Sequence, residues 1–217
     1  MSSYLAGIGL GFSLIIAIGA QNVFVLRQGI RREHVVLTAT ICAISDAVLI
    51  AAGVSGIGLV LHAVPWLLDA VRWVGAAFLV GYGVLAGRRA WRGDVEVLRV
   101  ADESTPAGSP AGGAQVLVAA TTRAARVAMT ALALTWLNPS VYLDTVFLLG
   151  TVANAHGDGR WIFAAGAMTA SVIWFYGVAL GARLLAGWLA TARAWRIFDA
   201  CIAVLMVVLA FGLVIAH

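Results

Sequence analysis

The chain has 217 residues, 62% of them hydrophobic and only 11% charged, with a formal net charge of +4. A soluble domain carries about 25% charge, so this chain has too few charges to cover a water-facing surface. Lysine is absent and the arginines sit between apolar runs, which reads as membrane topology rather than as a nucleic-acid surface.

Apolar runs of about 18 residues or more read as membrane-spanning helices. The runs here do not alternate, which argues against a β-barrel. In lipid each backbone polar group must be satisfied internally, which favours helices. The expected fold is an all-α integral membrane protein. It has six spans, near residues 5–26, 35–61, 71–87, 127–151, 161–185 and 195–215.

The first span follows four residues that carry no side-chain positive charge. It therefore reads as a retained helix rather than a signal peptide. It is interrupted by Gly19-Ala20-Gln21-Asn22. The second span carries Ser45-Asp46, with Asp46 well inside it. An Asp at mid-helix costs about 2.5–3.5 kcal/mol on insertion scales, and such residues mark substrate or proton paths. The bland alternative is a position near an interface or at a helix break. Asp69 and Asp199 fall at span ends and read as interfacial. Asp199 lies three residues after Arg196, a spacing that pairs the two on one helix face.

After the third span comes a segment, residues 88–126, that includes Glu103-Ser104-Thr105-Pro106-Ala107-Gly108-Ser109-Pro110. This polar composition reads as a flexible linker. It divides the chain into residues 1–87 and 127–217, with three spans each. The fourth span contains Trp136-Leu137-Asn138-Pro139-Ser140-Val141-Tyr142-Leu143-Asp144. Pro139 removes a backbone donor, and the residue before a proline is pushed from helical dihedrals. Asn138 is therefore expected at a break, with Ser140 and Asp144 on one face beyond it. A break exposes carbonyls that favour a cation and a half-helix N-terminus that favours a carboxylate. A plain proline kink explains the fourth span equally well. A second interruption in the matching place of the first span favours function. Trp136, Trp174 and Tyr176 are candidates for a cavity wall, or for packing alone.

Twelve arginines fall in the first, third and fifth loops and two, Arg72 and Arg160, in the second and fourth. The odd loops are therefore expected in the cytoplasm and both termini outside. Three spans per half invert the second half relative to the first, which permits two inverted repeats. No zinc-like cluster, phosphate loop or nucleophile motif occurs. The histidines are scattered, and Cys42 and Cys201 stand alone. No enzyme, metal or cofactor is expected.

The segment from Gly19-Ala20-Gln21-Asn22-Val23-Phe24 to Arg31-Arg32-Glu33 resembles the opening motif of the LysE/ArgO family of basic amino-acid exporters. So do Cys42-Ala43-Ile44-Ser45-Asp46, Thr135 to Thr145, and Gly159-Arg160-Trp161-Ile162-Phe163-Ala164-Ala165-Gly166-Ala167. The resemblance covers nearly the whole chain outside the linker. The family usually has Pro where Ala20 stands, so the first break is expected to be softer than the second. The resemblance implies export of L-lysine or L-arginine across the bacterial inner membrane, without choosing between them. Asp46 and Asp144 then read as substrate and proton carriers, exchanging proton for cation. Gln21, Asn22, Asn138 and Ser140 read as substrate contacts, and Gly19 and Pro139 as the helix breaks. Partners are the basic amino acid, protons and the lipid bilayer, with no nucleic acid. Oligomeric state stays open, a homodimer being one option. The alternatives are an exporter of neutral amino acids or of another small cationic metabolite, and a passive channel.

Overall fold

The computed structural model describes residues 1–16, 19–56, 65–92, 112–185 and 192–215, all of them helical or in short turns. The helices are α1 (Ser2–Ile15), α2 (Ala20–Arg31), α3 (Val35–Val54), α4 (Pro65–Arg92) and α5 (Gly112–Trp136). Then come α6 (Pro139–Val141), a π-helix (Tyr142–Leu149), α7 (Gly150–Asn154), a 3-10 turn (Gly157–Gly159), α8 (Arg160–Leu185) and α9 (Ala192–Ile215). Over their described residues, the six apolar runs are helical apart from the interruptions at Ile16, Gly19, Leu137 and Asn138 and the turn at Ser55-Gly56.

By length and apolarity, α3 and α8 can each cross a membrane. Two bent pairs add up to two more crossings, α1 with α2 across 84° and α5 with the helical segment from Pro139 across 58°. In α4 the stretch Trp73–Arg88 is apolar but shorter. Helix extends into both ends of the segment between the third and fourth runs. α4 carries Arg88 to Arg92 and α5 starts at Gly112, so both ends of the 88–126 segment are helical. Its Pro- and Gly-rich part before Gly112 lies outside the described residues, as do residues 57–61 of the second run and the side chains of Asp69 and Arg72.

Small residues set the packing. Gly7 and Gly11 of α1 lie against the backbone of α8 at Phe163 and Ala167, and Gly166 lies against Tyr4. Gly29 of α2 meets Ala179 and Ala182 near the other end of α8. α1 and α2 therefore follow α8 in succession along its length. Gly53 of α3 and Gly150 of α7 are face to face, and a Cβ on Gly150 would stand 2.7 Å from the Gly53 carbonyl oxygen. Close backbone approach of this kind is how membrane helices associate when no hydrophobic drive separates protein from lipid. α4 and α9 pack together, with Gly83 of α4 against Met206 of α9.

The outer surface is apolar. Ile44, Val48, Trp73, Val84, Ile173, Val204 and Phe211 are all exposed, as a lipid-facing surface requires. Polar contacts gather the arginine-bearing ends on one side. The Arg27 guanidinium pairs with Asp199, Arg196 Nε donates to the Ala90 carbonyl, and Arg123 stands 3.8 Å from Glu33. Asp199 thus pairs with Arg27 of α2, across helices, where both charges are buried and must be matched.

Candidate functional site

Both interruptions are built from amide side chains. At the fourth span, Asn138 is extended (φ −98°, ψ 107°), and Pro139 takes the first helical position. A proline fits there because that N–H has no helical acceptor. The Asn138 side chain accepts from Ser140 N at 3.2 Å. The Tyr142 hydroxyl donates to the Trp136 carbonyl at 2.8 Å, covering an oxygen the break leaves open. Beyond it the backbone continues as a π-helix that carries Asp144. Such widened turns are frequent at functional sites.

At the first span, α1 ends with Ile15, and Gly19 is extended (φ −120°, ψ 170°) ahead of α2. Asn22 Nδ2 donates back to the Ile15 carbonyl at 2.8 Å, and Trp174 Nε1 donates to Asn22 Oδ1 at 3.2 Å. The bend between α1 and α2 is 84°, across residues 17 and 18 that lie outside the described residues, against 58° at Pro139. On the described side of the break, Gly19 leaves the helical region and Asn22 satisfies the Ile15 carbonyl without a proline.

Between the two breaks lies a cavity of about 550 Å³. It is lined by Gly19, Gln21, Asn22, Asp46, Asn138, Pro139, Ser140 and Asp144, together with Ala20, Leu79, Phe175 and Val208 among others. All eight residues singled out from the sequence therefore border one space. Asp46 is 6% exposed and accepts a hydrogen bond from Ser171 at 2.9 Å. Asp144 is half-buried. Gln21 is buried beside Asp46 and Cys42, with its side-chain amide turned toward the Asp46 carboxylate. The arrangement offers two carboxylates to a cation, and amide donors with a half-helix N-terminus to an anion.

The aromatic candidates do not line this space. Trp174 supports Asn22, Trp136 donates to Ser45 Oγ at 3.3 Å, and the Tyr176 hydroxyl shares a 2.7 Å hydrogen bond with Thr40. Cys42 is fully buried and Cys201 is exposed. Sequence reading missed Ser171, a hydroxyl in the middle of an apolar run. Its only signal was that polarity. It also missed the buried Arg27, whose place next to other loop arginines hid it. Among the described residues, no cluster of His, Cys, Asp or Glu could hold a metal ion.

A largely apolar cavity that holds two carboxylates between two broken helices is the construction of a membrane transporter for small solutes. Comparison with known proteins narrows the class. Residues 12–217 match the family described as LysE type translocator, and the chain belongs to that family. It is 47% identical to a putative amino-acid transporter of Mycobacterium tuberculosis, over 90% of this chain and 88% of that one. It is 38% identical to the lysine exporter LysE of Corynebacterium glutamicum, over 99% of both chains. It is 40% identical to the arginine exporter protein ArgO of Salmonella typhi, over 98% of this chain and 93% of that one. No solved structure matches the chain. The protein is a multi-pass membrane transporter of the amino-acid export type, not an enzyme.

Proposed function

We propose that the protein exports L-lysine, L-arginine or both across the bacterial inner membrane in exchange for protons. The observation that carries this reading is one cavity, between two broken helices, holding Asp46 and Asp144. The substrate's side-chain cation sits on the carboxylates. Its α-carboxylate faces the N-terminus of α2 beside the Asn22 amide, and its α-amino group faces the Asn138 and Ser140 side of the cavity. A carboxylate holds either a proton or the substrate's cation well, not both. Proton entry from one side thus releases the cation, and proton loss to the other side readies the site again. Lysine and arginine exporters among the relatives support the choice of substrate.

Supporting the repeat reading, residues 1–87 and 127–217 each open with a bent helix. α1 packs on the fifth apolar run, as the fourth run packs on α3. The two halves rocking about the cavity would open it to each face in turn. The arginine-rich end, with the first, third and fifth loops, takes the cytoplasmic side by the positive-inside rule. Both termini then lie outside.

The test is efflux of radiolabelled arginine and lysine from loaded vesicles bearing Asp46→Asn or Asp144→Asn. Each change keeps shape and removes the charge. We expect each to reduce efflux by about a hundredfold or more, the scale of losing a buried charge partner of about 3 kcal/mol. Wild-type rates in both variants would sink the carboxylate mechanism.

A further inference from the structure

The buried ion pair between Arg27 and Asp199 lies outside the cavity, and transport as described above makes no use of it. The two groups stand 2.9 Å apart, with Arg27 4% and Asp199 8% exposed. Arg27 also reaches the Tyr82 hydroxyl at 3.5 Å, and its Nε has no partner. Around Tyr82, Phe24 packs edge-on at 6.3 Å and Phe78 stacks at 6.5 Å between centroids.

Position along three helices says where this layer sits. On α2 the cavity residues are Gln21 and Asn22, Arg27 follows, and the arginine-rich end comes last. On α4 Leu79 borders the cavity, Tyr82 follows, and Arg88 lies further on. On α9 Val208 borders the cavity, and Asp199 lies toward Arg196. In each helix the layer falls between the cavity and the arginine-rich end. Its two charges are shut away from solvent between the cavity and that face.

Stability alone is a weak reason for such a pair, since well-packed apolar residues do as well or better at such sites. Its chemistry suggests another. The guanidinium that Arg27 presents to Asp199 is the group an arginine substrate carries, and a lysine ammonium competes for the same carboxylate. We propose that Asp199 is a second cation site on the transport path, held shut by the protein's own Arg27. A basic substrate entering from the arginine-rich face takes Asp199 from Arg27 and so opens the layer to the cavity. The incomplete bonding of Arg27 suits a partner that must let go. This inference rests on the export of basic amino acids proposed above.

Two variants test it, both read against melting temperature in detergent. In a chain carrying Cys42→Ala and Cys201→Ala, Val141→Cys reports from the cavity wall. An impermeant thiol reagent is added to the arginine-rich side of sealed vesicles, the side being assigned by an Arg123→Cys control. Arg27→Gln removes the latch, and reporter labelling should rise by about tenfold, the loss of one charge-assisted hydrogen bond. Unchanged labelling would overturn the closure. Arg27→Gln removes the buried positive charge beside Asp199 and risks unfolding. The paired change Arg27→Met/Asp199→Leu avoids that risk and decides the role. We expect it to melt with the wild type while arginine and lysine efflux fall by about tenfold or more, the scale of one charge-assisted hydrogen bond. Efflux within about twofold of wild type would make the pair structural only, because an apolar pair of similar volume preserves packing. Labelling does not depend on which solute is exported. Failure of the export reading would show instead as wild-type vesicles that release neither amino acid.

Discussion

Asp46 illustrates how one residue is prepared for its task. It sits near the middle of α3, 6% exposed, with Ser171 of α8 donating to it at 2.9 Å. That hydroxyl fixes which carboxylate oxygen faces the cavity. Ser171→Ala should therefore leave the fold intact yet lower the efflux kcat/KM for arginine by about tenfold, the worth of one hydrogen bond to a charged group. A kinetic comparison in vesicles measures this, and an unchanged kcat/KM would show that Ser171 does not position the carboxylate. The contrast is Asn22, whose amide both accepts from Trp174 and donates to the Ile15 carbonyl. Asn22→Ala strips support from the first break. It should lower stability by about 1–2 kcal/mol, given about 0.6 kcal/mol or more per interhelical hydrogen bond in lipid. Thermal unfolding in detergent measures it. Asp46 and Asn22 were legible in the sequence because a polar group in an apolar run is an anomaly wherever it occurs. Their partners were not. Ser171 is 125 residues from Asp46 and Trp174 is 152 from Asn22, and one sequence carries no signal for such pairings.

At the scale of elements, the two broken helices differ in how the break is made. Asn138-Pro139 uses the proline to end α5 and the Asn138 side chain to start the next turn, while Gly19 and Asn22 do the same work without one. The Asn138 break could be read from the chain, since few residues other than proline forbid a helix locally. The support of the first break could not. Asn22 reaches back seven residues to the Ile15 carbonyl, and one sequence carries no signal for that contact. The π-helix from Tyr142 to Leu149 was equally hidden, because its sequence is compatible with an ordinary turn. Pro139→Ala restores the missing N–H and lets α5 run on into the following helix. The variant should remain folded, with a melting temperature at or above wild type, yet lose most of its efflux, because the cavity needs the bend. A full-rate Pro139→Ala exporter would mean the break serves packing only. Gly150→Ala tests the other junction. Its Cβ would meet the Gly53 backbone at 2.7 Å, and overpacking of this kind costs about 1–3 kcal/mol, which the same melting experiment reads.

For the whole molecule, the energetics of export separate an exchanger from a pore. Moving one cation out of a cell that is negative inside costs about 2.3 kcal/mol per 100 mV. A proton moving inward releases the same amount. If each carboxylate cycle trades one substrate cation for one proton, the net charge moved is zero and the membrane potential drops out. The driving force that remains is the proton concentration difference together with the substrate's own gradient. Vesicles loaded with radiolabelled arginine, with the pH difference and the potential imposed separately, distinguish the two cases. For the exchanger, an outside pH one unit below the inside favours arginine release by about 1.4 kcal/mol, tenfold in the accumulation ratio. A potassium-diffusion potential at equal pH should change nothing. A passive channel gives the reverse, following the potential and ignoring the pH difference. Asp46→Asn and Asp144→Asn vesicles sharpen the outcome. Under the exchange mechanism they lose the response to pH along with the flux, whereas a pore lined by these residues would keep its response to potential.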